Sequence, residues 1–356
     1  MDNENTFDKL PVEMISHIFE FLKLKHRKVA STVCWSWYHV SIQPRFLNKE
    51  VICLKYMNNM HDVLNIYTKS LRPYFAFRIL GLEIKTEDDE DEDDVIDLTK
   101  KDCWDWVYTI WPLLASKVTY LEFFDTVKIR GGILPALLSV TQQLKVLKIR
   151  HVQYNYKKIL HKVNRLQSLE ELEIEYIHTF IHSEDDTKLL GVIPETLRKL
   201  CVKSLSNESK FIIKDLIKVI KFCSSHLQSL ELFDVNMTYK VMKSMVNLNM
   251  NLKKFHLCIV NPIDCARLPE IISLLLKTQW PLVDLKLRAN CFTYEHVFTI
   301  TDTFKDLEKL SVSGRSERSF ETLTGISGSS FETLSRLTKS IDSLTKLKSL
   351  YIGVER

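Results

Sequence analysis

The residues of this chain that could carry chemistry are dispersed along it. Its eight cysteines lie at positions 34, 53, 103, 201, 223, 258, 265 and 291, without any Cys-x-x-Cys pair. Because zinc and redox sites usually need such pairs, this spacing favours isolated, buried or half-buried thiols in a reducing compartment, the cytoplasm or the nucleus. The eleven histidines and eight glycines form no metal-binding or phosphate-binding motif. We therefore expect no metal site, no cofactor and no catalytic residue, and hence a protein that is not an enzyme.

The bulk composition excludes two further classes of partner. The 356 residues include 49 basic and 45 acidic ones, and the net charge of +4 gives little attraction for nucleic acid. The first five residues are acidic and polar, unlike a secretory signal. No apolar run reaches the roughly 18 residues that a membrane span needs. We expect neither nucleic acid nor a membrane as a partner.

One short phrase recurs nine times between Val118 and Ile352: an apolar residue, two of any kind, Leu or Phe, one of any kind, and another apolar residue. A weaker tenth copy spans Phe77 to Leu82. The central residues of the nine copies are Leu121, Leu147, Leu172, Leu200, Leu230, Phe255, Leu285, Leu310 and Leu350. Their spacing is 25 to 30 residues, except for a final gap of 40. This period is typical of a leucine-rich-repeat solenoid, in which each phrase is a short strand and stacking buries the apolar residues.

The segments between the phrases have the periodicity of helices. Thr238 is a plausible N-cap, and the apolar residues Val241, Met242 and Met245 follow it at helical spacing. The predicted fold is α/β, a curved parallel sheet with helices on its convex side, preceded by a small all-α unit. The predicted boundaries are a flexible terminus (1–6), the helical unit (7–48) and the solenoid (49–356), with an acidic insert at 86–98 and a loop at 313–330.

Residues 7–48 carry no repeat phrase and must form a separate helical unit. Pro11 suits the first turn of a helix in which Ile15 and Phe19 recur on one side. Val33 and Trp37 lie on a second apolar stripe, which Val29 would begin. So short a unit cannot bury both stripes well, which indicates a docking module. The alternative is a cap on the end of the solenoid.

The same unit resembles an F-box. The three parts of that family's pattern stand in order as Leu10-Pro11-x-Glu13, Ile18-Phe19 and Val33-Cys34-x-x-Trp37. Two positions depart from it, since His26-Arg27 replaces the usual Asp-Leu and Phe46 stands where a later Trp is usual. The resemblance implies that the F-box binds a Skp adaptor through Leu10, Pro11, Glu13, Ile15, Ile18, Phe19, Val33, Cys34 and Trp37.

An F-box followed by repeats resembles the leucine-rich-repeat F-box proteins. Members of that family are substrate receptors of Skp–cullin–F-box (SCF) ubiquitin ligases, and the resemblance implies that the adaptor links this chain to a cullin while the repeats hold a protein target. Two alternatives remain open. The chain could be a repeat protein that binds a partner or inhibits an enzyme without ubiquitin, or a structural scaffold.

An acidic run at residues 87–94 precedes the segment Val95-Ile96-Asp97-Leu98. This stretch resembles the SUMO-interacting motif, whose hydrophobic segment adds a strand to the edge of SUMO's sheet while the acids face a basic rim. The resemblance implies SUMO as a further partner, which a titration of SUMO with a peptide of residues 86–101 would test. The alternative is a solvated acidic loop, followed by a helix that Thr99 caps.

The residues that alternate with the apolar ones should face away from the core, on the concave side of the sheet. Between residues 122 and 203 their charges alternate in sign and largely neutralise one another. Past Glu231 the basic residues prevail, which suits an acidic or phosphorylated segment of the target. The predicted target-binding residues are Phe233, Lys254, His256, Lys286, Arg288 and Lys309. Surface loops are the alternative location.

Overall fold

The fold is that of an α/β solenoid, in which short helices precede a long, all-parallel sheet. Its eleven described strands follow one another in chain order, and the sheet does not close into a barrel. The computed structural model describes residues 10–47, 50–55, 60–70, 74–80, 105–124, 133–152, 163, 165–176, 194–204, 210–233, 235, 237–248, 250–259, 267–289, 292–314 and 330–354. The chain divides into two compact units, Met1–Val146 and Leu147–Arg356.

The first unit begins with the short helices and continues with the first strands of the sheet. Its elements are α1 (Val12–Phe21), α2 (Leu24–Ala30), α3 (Trp35–Ser41), α4 (Pro44–Leu47), β1 (Ile52–Lys55), α5 (Met60–Lys69), β2 (Ala76–Leu80), α6 (Trp106–Thr109), α7 (Trp111–Ala115), β3 (Tyr120–Phe124) and α8 (Ile133–Val140). Strand β4 (Val146–Val152) begins where this unit ends.

The second unit repeats the order of strand and helix. After β4 its elements are β5 (Glu171–Tyr176), β6 (Lys199–Ser204), α9 (Lys210–Cys223), β7 (Ser229–Phe233), α10 (Tyr239–Val246), β8 (Lys254–Ile259), α11 (Leu268–Leu276), β9 (Asp284–Ala289), α12 (Tyr294–Thr303), β10 (Lys309–Gly314), α13 (Ser330–Asp342) and β11 (Ser349–Val354). None of the described helices has the length and apolarity needed to cross a membrane.

The nine repeat phrases are the strands β3 to β11, as the spacing predicts. Their central residues pair in register: Leu230 lies between Leu200 and Phe255, and Leu285 lies between Phe255 and Leu310. These side chains are buried, with Leu310 only 1% exposed, and form the core on one side of the sheet. Leu350 on the last described strand is the exception at 39% exposure.

The start of the sheet differs from the prediction. Strand β1 was not expected, because no repeat phrase was recognised between the helices and residue 77. The weak tenth copy was placed three residues too late, since Phe77 rather than Leu80 pairs with Leu121. Ala76, Phe77 and Ile79 are the buried residues of β2, and Leu80 is half-buried. Leu80 and Leu82 have the spacing of the phrase, but the aromatic Phe77 and the β-branched Ile79 occupy the corresponding core positions.

The helical periodicity between the strands is confirmed where the structure describes it. The Thr238 hydroxyl accepts a hydrogen bond from the backbone N–H of Val241 at 3.4 Å, so Thr238 caps α10. Val241, Met242 and Met245 are buried, as the spacing predicts. The acidic insert at 86–98 lies outside the described residues. Within the predicted loop, β10 runs to Gly314 and α13 starts at Ser330, and residues 315–329 also lie outside.

Candidate protein-binding surfaces

The N-terminal helices pack around a small apolar core. Helix α1 follows Pro11 and ends at Phe21, because the next residue, Leu22, has an extended backbone. Ile15 and Phe19 lie four residues apart and therefore point to the same side of α1, where they meet Val40 and Phe46. These four side chains are buried to 98% or more.

Aromatic contacts hold this core together. The ring of Trp37 meets Phe19 edge-on, with a centroid distance of 5.6 Å. The guanidinium groups of Arg27 and Arg45 lie 5.4 and 5.0 Å from the centroid of the Phe46 ring. Phe46 therefore fills the core position where the family pattern has a Trp, and its ring is covered by two cations.

The structure distributes the nine predicted adaptor-binding residues between the core and the surface. Pro11, Glu13 and Val33 are exposed, Leu10, Ile18, Cys34 and Trp37 are half-buried, and Ile15 and Phe19 are buried. The two buried residues have no exposed side chain to offer a partner. Their part is to hold the helices that carry the other residues.

These helices also expose large apolar side chains that are not among the nine predicted adaptor-binding residues. They are Val12, Met14, Phe21, Val29 and Trp35. Phe21 and Trp35 lie off the stripes that the core residues define on α1 and α3, and a large apolar residue at such a position is the signal that could have found them.

The predicted second stripe is not a single helix. Helix α2 ends at Ala30 and α3 starts at Trp35, with Val33 in the turn between them. Cys34 precedes α3 with an extended backbone, φ −159° and ψ 172°, which interrupts the helical periodicity. Val29 and Val33 are consequently exposed, whereas Trp37 turns toward the core.

Comparison with protein families gives these helices an assignment. A family model described as F-box-like matches residues 7–51. The N-terminal helices are F-box-like. A search among curated proteins found no significant match to the chain. The family match covers the helices and the first residues that follow them, and it suggests a role in binding the adaptor of an SCF complex.

In the second unit, the side chains that alternate with the buried ones form a polar face on the sheet. The strand register aligns these side chains in columns across the sheet: Lys254 pairs with Asp284, which pairs with Lys309. The next two columns run through Glu231, His256 and Lys286, and through Phe233, Cys258 and Arg288. All six predicted target-binding residues therefore lie on neighbouring strands, β7 to β10.

An ion cluster of the polar face surrounds Glu173. Arg150 donates two hydrogen bonds to this carboxylate, at 3.0 and 2.8 Å, and the ammonium of Lys203 donates a third at 2.8 Å. Lys148 lies 3.7 Å away. Burial alone would raise the pKa of Glu173, but the hydrogen bonds from Arg150 and Lys203 outweigh it and lower the pKa to about 2. This cluster is a satisfied structural element, as the alternating charges predict.

The charge pairing continues further along the sheet than expected. The Lys254 ammonium lies 2.9 Å from Glu231, and Nε2 of His256 lies 3.0 Å from Asp284. Burial lowers the pKa of His256 and outweighs the opposite effect of Asp284. Lys254 and His256 are therefore engaged with acids of the same face, because neighbouring strands bring opposite charges together. These two residues therefore do not contribute to the excess of positive charge that the sequence predicts past Glu231.

The remaining predicted target-binding residues occupy the end of this face. Lys286 and Arg288 are half-buried on β9, and Lys309 is exposed on the neighbouring β10. Phe233 is half-buried rather than exposed, and the Lys203 ammonium lies 5.8 Å from its ring centroid. Asp284 is the acid on these two strands of the face, so positive charge prevails here. Such a surface can bind a carboxylate or a phosphate group.

The five described cysteines are free thiols. Cys201, Cys223 and Cys258 are buried and Cys34 is half-buried, whereas Cys53 is exposed, which corrects the expectation of burial for that residue. Burial raises the pKa of Cys201 and of Cys223 to about 12, so neither thiol is activated for chemistry. Among the residues that the structure describes, no group of His, Cys, Asp and Glu side chains is arranged to hold a metal ion.

The residues of the SUMO-like segment, Val95, Ile96, Asp97 and Leu98, lie outside the described residues. Cys103, Cys265 and Cys291 do so as well. The SUMO contact stays a prediction from the sequence.

Proposed function

We propose that this protein is the substrate-recognition subunit of an SCF-type ubiquitin ligase. Its F-box-like helices bind a Skp adaptor, which connects the chain to a cullin, and its leucine-rich repeats bind a protein target. The observation that carries the proposal is the F-box-like match at residues 7–51, joined to a long parallel sheet. The chain itself supplies no chemistry in this proposal. It holds the target close to a recruited conjugating enzyme, and proximity raises the rate of transfer.

The adaptor contact in this proposal uses the exposed and half-buried members of the three-part pattern. Pro11 and Glu13 open α1, and Val33 and Cys34 precede α3, while the buried Phe19 joins the two helices through its contact with Trp37. The adaptor then covers apolar surface that these helices alone cannot bury, and its removal from water favours the complex.

Deletion of residues 7–48 should abolish recovery of a purified Skp-type adaptor by the immobilised chain. Because deletion can also disturb the rest of the first unit, Val33→Asp serves as a second variant. Val33 is 57% exposed, so its replacement should keep the fold while a buried carboxylate in the interface weakens binding about 10-fold or more.

The matched control for that substitution is Phe222→Asp, which places the same charge at an exposed apolar position on α9. It should bind the adaptor as the parent chain does. Undiminished adaptor recovery by both the deletion variant and Val33→Asp would contradict the proposed function and favour a repeat protein that acts without ubiquitin.

For the target, we propose that the polar face binds an acidic or phosphorylated segment through its β9–β10 end. Lys286, Arg288 and Lys309 supply the positive charge there, with Lys254, His256 and Phe233 beside them. Lys254 pairs with Glu231, an acid of the same face. The proposed binding site therefore centres on β9 and β10, where basic residues outnumber acidic ones.

The test is the double variant Lys286→Glu with Lys309→Glu, fused to a proximity-labelling enzyme and expressed while the proteasome is inhibited. This charge reversal should remove targets from the set of labelled proteins. The double variant Lys240→Glu with Lys277→Glu makes the same charge change at two exposed positions, on α10 and directly after α11, and should keep that set. Adaptor recovery should be equal for both variants. An unchanged set of labelled proteins in the β9–β10 variant would exclude this patch as the target site.

A further inference from the structure

Three large apolar side chains are exposed within seven residues of the chain, where α2 ends and α3 starts. Val29, Val33 and Trp35 are 65%, 57% and 74% exposed, and we name these three residues the corner cluster. The turn between them is tight, because Thr32 and Val33 donate backbone hydrogen bonds to the carbonyl groups of Val29 and Ala30, both at 3.1 Å. The three side chains therefore stand within seven residues of rigidly folded chain.

Trp35 is the largest member of the corner cluster, and its ring is held in place by neighbours on α3. The indole stacks on the ring of His39 with a centroid distance of 5.7 Å and an interplanar angle of 30°. It also meets Tyr38 edge-on at 5.6 Å. A ring that is already ordered in the free protein loses little conformational entropy on binding, so more of its contact energy is kept.

The position of Trp35 in the chain indicates its partner. It directly follows Val33 and Cys34, which are part of the three-part pattern, and it lies within the F-box-like match at residues 7–51. The family pattern leaves this position open, so the pattern alone assigns Trp35 no role. Because Trp35 adjoins Cys34 and is two residues from Val33, a partner that covers either of them also comes within reach of Trp35.

We propose that the corner cluster, anchored by Trp35, is the part of the F-box-like surface that contributes most to adaptor binding. This inference rests on the proposed function. The adaptor surface that fits the cluster is an apolar pocket with a hydrogen-bond acceptor for the indole N–H. Tryptophan is among the residues that most often dominate the energy of protein interfaces, when it is packed and removed from water.

The test compares two exposed aromatic residues of the same helical unit. Trp35→Ala in the full chain should weaken affinity for a purified Skp-type adaptor by about 30-fold, the loss typical of an interface hot spot. Phe21→Ala is the matched control. Phe21 is 76% exposed on α1 and packs on His17, and its removal should change the affinity by less than about 3-fold. Trp35→Phe should recover part of the lost affinity.

Several outcomes separate this inference from the proposed function. If Trp35→Ala binds like the parent chain while deletion of residues 7–48 abolishes binding, the proposed function stands and the corner cluster is not its anchor. Equal losses for Trp35→Ala and Phe21→Ala would overturn the special role of the cluster. Sedimentation of the chain alone provides a third check, since a dimer that Trp35→Ala dissociates would assign the cluster to a second copy instead. Circular dichroism and the melting temperature should be unchanged in each variant because both residues are exposed.

Discussion

Replacement of Phe19 by Ala is expected to unfold the F-box-like helices and with them to abolish adaptor binding. Phe19 is fully buried, and its ring contacts both Trp37 and Phe46 at the centre of the core. Removing a buried phenylalanine side chain costs about 3–5 kcal/mol, through lost burial and the cavity that remains. So small a helical unit has little stability in reserve against such a loss.

Hydrogen exchange at the amides of α1 to α4 measures this effect directly, and adaptor recovery measures its consequence. Phe21→Ala is the control, since it removes the same side chain from an exposed position two residues away and should change the free energy of unfolding by about 0.5 kcal/mol or less. Protected amides in α1 and α3 of the Phe19→Ala variant would contradict the assignment of Phe19 to the core. Together with Trp35→Ala, these variants distinguish core residues such as Phe19, which hold the helices in place, from exposed residues that contact the adaptor.

The strands from β3 onward could be predicted from the sequence because one local pattern determines both position and register. Each phrase alternates apolar and polar residues, and a shift by one residue would turn Leu230 or Leu285 away from the core. The first strands could not be found in this way. Their buried residues are of mixed type: Leu54 in β1, and Ala76, Phe77 and Ile79 in β2. Leu80, the next residue of β2, fits the phrase in the wrong register.

The sequence predicted which residues form the F-box-like helices, but not which of their side chains are exposed. The three-part pattern gave residues 7–48 their assignment, yet it contains buried, half-buried and exposed positions without distinguishing them. The break between α2 and α3 was missed because Val29, Val33 and Trp37 are four residues apart, a spacing that one continuous helix would also give. No Gly or Pro marks the turn, and the exposure of Trp35 follows only from the packing of α3 on α1.

On the polar face, the number of basic and acidic residues in the sequence does not show which of them are paired in the folded sheet. When the charged residues past Glu231 are merely counted, Lys254 and His256 add to an excess of positive charge. The register places each of them beside an acid, Glu231 for Lys254 and Asp284 for His256, because neighbouring strands align the columns. Side-chain reach across strands therefore decides which charges can act on a partner, and the sequence contains this information only once the register is known.

Glu173 gives the polar face a stability that depends on pH. Its pKa of about 2 in the folded protein lies below the ordinary value of 4.5, because Arg150 and Lys203 donate hydrogen bonds to the charged form. A depressed pKa stabilises the folded state fully above the unfolded value, and this contribution is lost as the pH falls from about 4.5 toward 2. The difference between the two pKa values corresponds to about 3 kcal/mol at neutral pH.

We therefore expect Glu173→Gln to lower the free energy of unfolding by about 3 kcal/mol at pH 7, since it leaves the half-buried guanidinium of Arg150 and the half-buried ammonium of Lys203 without their acid. Urea unfolding of both chains at pH 7 and at successive values down to pH 2.5 would show the difference shrinking below about pH 4.5. Glu173 of the unfolded parent chain takes up a proton there, whereas Glu173 of the folded chain does so only near pH 2. Glu171→Gln is the control on the same strand. Glu171 is more exposed, and its carboxylate lies 3.6 Å from Lys199, so a change of about 0.5 kcal/mol or less is expected. Equal stability of Glu173→Gln and the parent chain at pH 7, or a difference that persists unchanged at pH 2.5, would show that the cluster around Glu173 does not hold the strands of this face together.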